Sequence, residues 1–321
     1  MTRFISHRLG HTAIVIAVMS FVIYGLIGLM PGDPIDLMIA ADPKMTSDDA
    51  ARLRALYGLD KPIYERYYNW ATAALDGDFG YSRLYAQPVL TVLWPALENT
   101  LILLGLTVFF SVLIGLPLGI LAALRPYSKV DYIINFFAFG GISMPSFWLA
   151  LLLIIAFSVQ MGILPASAMI TSPDAGFWER ASAMALPVMT LTINSVAVYS
   201  RHMRSNMIEI LRRDYIRTAR AKGSSESRVV LKHALRNALI PVITILGLDF
   251  GYLFSGALVT ETIFTYPGMG KLIFDSIMGN DFNMALIALL FATFMTMMGN
   301  LLADLGYAWL DPRISYQGTN S

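Results

Sequence analysis

Ionisable and amide side chains inside apolar stretches are the first candidates for chemistry in this sequence. Asp249 and Asp304 stand within long apolar runs, and Asn194 stands in a shorter one. A charge at membrane depth is costly, so it faces a bundle interior or a water-filled cavity. Asp249 and Asn194 could therefore line a pathway and meet a polar or cationic solute. Each of the three could equally pair with hydroxyls or backbone of neighbouring helices. His7 and His11 are one helical turn apart, a spacing that could hold a metal. They begin an apolar run, where interface packing or headgroup contact accounts for them. His202 and His233 lie in a basic segment and read as solvated.

Several chemistries are excluded. There are no cysteines, hence no disulfides, thiolate metal sites or thiol nucleophiles. No Gly-x4-Gly-Lys-Ser/Thr motif occurs: before Gly270-Lys271, Thr265 stands where the first glycine belongs, and Leu272 follows. There is no Ser-His-Asp arrangement or metalloprotease motif. The chain does not read as an enzyme, and any ATP it depends on is bound by another subunit.

The elements that must position these residues are membrane spans. The 321 residues are 56% hydrophobic and 14% charged, with net charge +1. Soluble domains average about 45–50% apolar and about 25% charged residues. Too few charges are present for a solvated shell, so lipid is the solvent for much of the surface. Six apolar runs are long enough to be spans: 10–30, 98–123, 132–161, 183–200, 241–263 and 284–309. Their uniform apolarity predicts helices rather than barrel strands. The first run is too long for a signal-peptide core and ends in Pro31-Gly32-Asp33-Pro34, so it reads as an uncleaved span.

Lys and Arg set the orientation. With the N-terminus inside, the inner segments hold 15 basic residues, ten of them between 201 and 236, and the outer segments hold 8. An N-in, C-in protein is expected. Its parts are 1–30 (N-terminus and first span), 31–96 (an extracytoplasmic helical segment), 97–309 (a five-span core containing the cytoplasmic loop 201–240) and 310–321 (a cytoplasmic tail). In the outer segment, Thr46 and Asp49 have capping-box spacing, and Pro62 suits the first turn of a helix ending near Gly77. Tyr64, Tyr67, Tyr68 and Trp70 on that helix read as membrane-interface aromatics. Gly115 with Gly119, and Gly247 with Gly251, allow close helix approach. Pro117 and Pro145 can bend their spans.

The loop 201–240 carries ten basic and three acidic residues. Good helix formers lead up to Gly223, which interrupts them as glycine does after a helix end. Ser224 or Ser225 can cap a second helix. Its apolar positions Val230, Leu231, Ala234, Leu235 and Ala238 run on to Pro241 and the fifth span. A loop serving topology alone would be basic; two helices about a defined turn, joined to a span, suit a docking element.

These segments resemble the integral membrane permeases of binding-protein-dependent ABC importers, in the dipeptide/oligopeptide/nickel branch. The resemblance covers nearly the whole chain. It is carried by Pro31 to Pro34, Tyr57 to Pro62, Gly77 to Gly80 and Ser143-Met144-Pro145-Ser146-Phe147-Trp148. It continues through Tyr215 to Gly223, His233 to Asn237, Glu261 to Phe264, Tyr266 to Gly270 and Asp311-Pro312-Arg313. The resemblance implies that 214–223 is the ATPase-coupling loop, with Asp214, Tyr215, Arg217, Ala219, Arg220, Lys222 and Gly223 as its residues. The family motif is Glu-Ala-Ala, three residues, then Gly. Arg217 and Thr218 depart from it, so their individual contacts do not carry over; Ala219 and Gly223 match. Leu235-Arg236 stand where the family has Leu-Pro.

The resemblance further implies a paralogous permease partner forming a heterodimer, two ATPase subunits holding ATP and Mg, and an extracytoplasmic binding protein. No cofactor is expected on this chain, and no nucleic acid. The expected setting is the prokaryotic cytoplasmic (inner) membrane, and the expected cargo is short peptides or a related small solute such as a nickel chelate. The competing reading, a secondary transporter or channel independent of ATP, calls for ionisable residues along several spans. Only Asp249 and Asp304 are available for it.

Overall fold

A computed structural model describes residues 2–29, 52, 61–170, 172 and 174–310; the side chains of 2–7, 244, 248–256 and 302–310 fall outside that description. The expected helix start at Thr46, the motifs at 31–34 and 57–60, the side chains of His7, Asp249 and Asp304, and the tail after 310 lie outside the described residues. The chain forms two compact units, one of 1–98 with 271–295 and one of 99–270 with 296–321.

In the first unit, α1 (Thr2–Ile27) meets α2 (Ile63–Leu75) and the start of α11 (Phe282–Leu310). Pro62 is the N-cap of α2, just outside the first turn. The aromatics of α2 divide by helical face. Tyr64 and Tyr68 are exposed. Tyr67 and Trp70 pack against Tyr24 of α1, with ring centroids 5.6 Å from it, and the Tyr67 hydroxyl lies 2.6 Å from Ser20 Oγ. Helical periodicity thus sets Tyr67 and Trp70, both half-buried, against the α1 cluster and leaves Tyr64 and Tyr68 outward. A two-residue hairpin, β1 (Tyr81–Ser82) with β2 (Gln87–Pro88), follows. Asp281 holds it, accepting from Ser82 Oγ and from the Leu84 N–H.

The second unit holds most of α3 (Val89–Leu124), then α4 (Lys129–Ser143), α5 (Ser146–Leu153) continued by a π-type segment (Ile154–Gln160), and α6 (Phe177–Leu211). There follow α7 (Asp214–Ala221), α8 (Glu226–Arg228) continued by a π-type segment (Val229–Ala234), α9 (Leu235–Ile263) and the start of α10 (Met269–Met278). Helices α4, α5 and α9 pack around α6. Gly119 lets α3 approach α6: a Cβ there would come within 2.7 Å of Met203 Cβ. Pro117 sits inside an unbroken α3.

Among the described residues, five stretches are long and apolar enough to cross a membrane: Arg8–Ile27, Val89–Leu124, Phe177–Leu211, Glu226–Gly247 and Phe282–Leu301. The expected third span, 132–161, is not one rod. Its axis turns by 106° between Ser143 and Ser146. The cause is local. Pro145 has no N–H and disfavours helical backbone in the residue before it. Met144 is accordingly extended, at φ −84° and ψ 126°.

Candidate functional site

The segment 201–240 is built as a corner. Helix α6 ends at Leu211, and Arg213 is extended (φ −70°, ψ 150°) before α7 begins. The sequence reading ran one helix through to Gly223; the structure breaks it at Arg212–Arg213. The break turns α7 so that Ile216 enters the core. Ile216 is fully buried among Met203, Met207, Val229, Val230 and Ala234, and Ala219 packs against the same cluster one turn on. Asp214, in the first turn of α7, and Arg220, in the last, have the signs that the helix dipole favours.

Helix α7 ends in a Schellman cap. The Ser224 N–H donates to the Ala219 carbonyl at 3.2 Å, and the Gly223 N–H to the Arg220 carbonyl at 2.9 Å. Gly223 takes φ +79°, and a Cβ on it would meet nothing within 4 Å. Glycine is required here for its backbone and not for space. Arg220 then reaches across the turn, Nε donating to Glu226 Oε1 at 2.7 Å. The pair is largely exposed and contributes little energy.

Each expected coupling residue can now be placed. Ala219 faces inward, with Ile216. Asp214, Tyr215, Arg217, Arg220, Lys222 and Gly223 are exposed. Tyr215 is tied down nonetheless, its hydroxyl accepting from Asn237 Nδ2 at 3.2 Å. In the following helix Leu231, one of its apolar positions, is exposed, and Val229 is buried. The π-type turn at 229–234 widens the helix and shifts its apolar face by part of a turn. Ser225 occupies the N-cap position without a side-chain bond. The arrangement is an apolar plug carrying a short polar ridge, joined to α6 on one side and to α8 and α9 on the other.

The family described as binding-protein-dependent transport system inner membrane component matches residues 115–316, and the N-terminal part of the same kind of component matches 1–103. The chain belongs to this family. It is a permease subunit of an ABC importer, a multi-pass protein of the cytoplasmic membrane rather than an enzyme in itself. The oligopeptide transport system permease protein AppB of Bacillus subtilis (strain 168) is 41% identical over 303 residues, 94% of each chain. The dipeptide transport system permease protein DppB of Escherichia coli (strain K12) is 34% identical, covering 99% of this permease and 100% of its own chain. Among solved structures, the inward-facing MetNI methionine ABC transporter matches with TM-score 0.58 at 18% identity, over 70% of this chain and 98% of that one. An amino acid ABC transporter crystallised with histidines matches with TM-score 0.54 at 20% identity, over 68% and 94%. These two likenesses show the fold.

Of the two expected pathway residues, Asn194 is half-buried on α6, while the Asp249 side chain lies outside the described residues. Two polar contacts of the permease escaped the sequence reading. Asp131, at the start of α4, accepts from Arg204 of α6 through both carboxylate oxygens, and also from the Tyr127 N–H and Asn135 Nδ2. Its only sequence signal was the spacing Ser128-x-x-Asp131 at the foot of an apolar run. Glu261, fully buried at the end of α9, accepts from Thr100 Oγ1 at 2.5 Å, and Thr100 Oγ1 in turn accepts from the Met269 N–H at 2.8 Å. Its carboxylate lies against the Cα of Gly268, leaving no room for a Cβ. Glu261 and Gly268 both lie in segments that carry the family resemblance, but sequence spacing does not pair them.

Proposed function

We propose that this permease forms the translocation pathway for short peptides together with a paralogous permease. Two separate ATPase subunits, holding ATP and Mg, dock on the exposed side of α7 and drive it. An extracytoplasmic binding protein delivers the cargo. The peptide reading draws on the full-length likeness to permeases named for oligopeptide and dipeptide transport. The observation that carries the coupling role is the Ile216 plug beneath an exposed polar helix. Asp214, Tyr215, Arg217, Arg220 and Lys222 offer the ATPase a charged and aromatic ridge. Ala219 and Gly223 hold the shape of its end.

We read the chain as crossing six times, N-in and C-in, with the bent pair 129–160 counted as one crossing. The charge pattern supports this. If the bent pair returned to the side it came from, the ten basic residues of 201–236 would face outward, against the distribution that sets membrane orientation. The division into 1–30, 31–96, 97–309 and 310–321 follows from those crossings. Asn194 and Asp249 then belong to spans four and five, where the pathway runs. ATP-driven closure of the ATPases favours one of two arrangements of α7, and α6 and α9 move with it.

The test is reconstitution. The tagged permease is isolated from its native membrane with whatever accompanies it and placed in vesicles with the binding protein. Uptake of labelled di- and tripeptides that requires ATP supports the proposal. Uptake driven by an ion gradient, with no ATPase in the preparation, overturns it.

A further inference from the structure

The level of the Ser143–Ser146 break along α6 is set by Gly141. A Cβ on Gly141 would lie 3.2 Å from Ala197 Cβ and 3.3 Å from the Ile193 carbonyl oxygen. Helices α4 and α6 run antiparallel, because Asp131, earlier on α4, meets Arg204, later on α6. Just past Gly141, the break therefore lies at the level of Thr192 and Asn194 along α6. Asn194 is the middle residue of the 35-residue α6. At about 1.5 Å per residue each half of α6 measures about 25 Å. Half of the hydrocarbon layer is only about 15 Å. With both ends of α6 outside that layer, its middle, and the break level with it, lies inside the bilayer.

At this depth the chain is unusually polar. Helix α4 ends on an extended Met144, and α5 begins at an N-cap, Pro145, with no side-chain bond. Ser143 and Pro145 are exposed. Thr192 is 7% exposed, and its Oγ1 has no hydrogen-bond partner among the described residues. The Ser111 hydroxyl of α3 is buried in the same condition. It shares this level, since Gly115, one turn on, packs against Val196 and Tyr199. Backbone that leaves the helix within the hydrocarbon layer is tolerated only where protein buries it or where it lines water. Discontinuous spans serve transporters as solute sites for this reason.

We propose that the Ser143–Ser146 break, level with the half-buried Asn194, lines the aqueous pathway and exchanges hydrogen bonds with the backbone of the passing solute. The last carbonyls of α4 accept from ammonium or amide N–H groups, and the Asn194 amide both donates and accepts. The assignment of a peptide as that solute rests on the import reading given above.

The absence of cysteine makes the test direct. Ser143→Cys, Ser146→Cys and Asn194→Cys are each introduced alone, with Leu113→Cys on the exposed side of α3 and Ser225→Cys in the exposed turn as references. The whole transporter is placed in nanodiscs and treated with a charged maleimide, and modification of this chain alone is followed by its mass. Ser143→Cys and Ser146→Cys are expected to react at rates close to that of Ser225→Cys and far above that of Leu113→Cys. Saturating tri-alanine is expected to abolish the reaction at these two positions. No reaction at either, with Ser225→Cys reactive, overturns the proposal. So does reaction unaffected by tri-alanine in a transporter that takes tri-alanine up. Labelling without any tri-alanine uptake leaves the aqueous lining intact and removes the peptide reading instead.

Discussion

Arg204 holds Asp131 by two parallel bonds of 2.6 Å, Nε to one carboxylate oxygen and Nη2 to the other. The carboxylate is almost fully buried, and the pair ties the foot of α4 to α6 one residue from Met203 of the α7 cluster. Removing one partner of a buried ion pair costs about 3–5 kcal/mol, whereas an apolar pair of similar volume is often neutral. Arg204→Ala is expected to lower the melting temperature of the purified protein sharply, and Arg204→Met with Asp131→Leu to recover most of the loss. Equal melting of the single and double variants would show that the carboxylate is not held by this arginine.

Gly223 is demanded by its φ alone. A side chain in the left-handed region costs about 1–2 kcal/mol, with asparagine the best tolerated. Nothing surrounds the position, so size should matter less than backbone freedom. Gly223→Asn should retain most ATP-dependent uptake in reconstituted vesicles, Gly223→Val should lose it, and both should insert normally. Uptake by the valine variant equal to that of the parent would remove the cap from the coupling mechanism.

Ile216 anchors α7. Truncating a buried isoleucine to alanine costs about 2–5 kcal/mol. Here the loss falls on a two-turn helix, so Ile216→Ala should loosen α7 before the spans melt. Hydrogen exchange at 214–223 should accelerate while the exchange of α6 stays unchanged. ATPase retained on affinity purification should fall. Uniformly faster exchange would mean that the cluster stabilises the whole unit rather than this helix.

Gly268 has the opposite requirement to Gly223, space rather than backbone freedom. Its Cα is covered by the Glu261 carboxylate, so Gly268→Ala should reduce the yield of folded protein. Adding Glu261→Ala, which clears the space, should restore part of it. A double variant that folds worse than Gly268→Ala by the full cost of losing Glu261 would place the conflict elsewhere.

Much of the candidate site was legible because its signals are local. Glycine after a helix end, the charge bias of 201–236 and the small-residue pairs act over one or two turns, and a side chain's neighbours at that range are set by helical geometry. The bend at Pro145 was legible in the same way, though its extent was not. What escaped was long-range. Asp131 and Arg204 are 73 residues apart, and Thr100 and Glu261 are 161 apart. Nothing in spacing or hydropathy pairs such residues.

By itself the sequence determined that this is a helical membrane protein with several long apolar runs, and that a polar helix ended by Gly223 precedes the run that starts near Pro241. These follow from transfer of apolar side chains out of water and from local backbone preference, both of which are properties of short segments. Tertiary structure alone decided which face of each helix is buried. It set Tyr67 and Trp70 against α1, left Leu231 out, turned α7 at Arg213 so that Ile216 became its anchor, and set the bend between α4 and α5 at the level of Asn194. Those outcomes depend on close packing between helices distant in sequence, and packing is a property of the assembled surfaces rather than of any one segment.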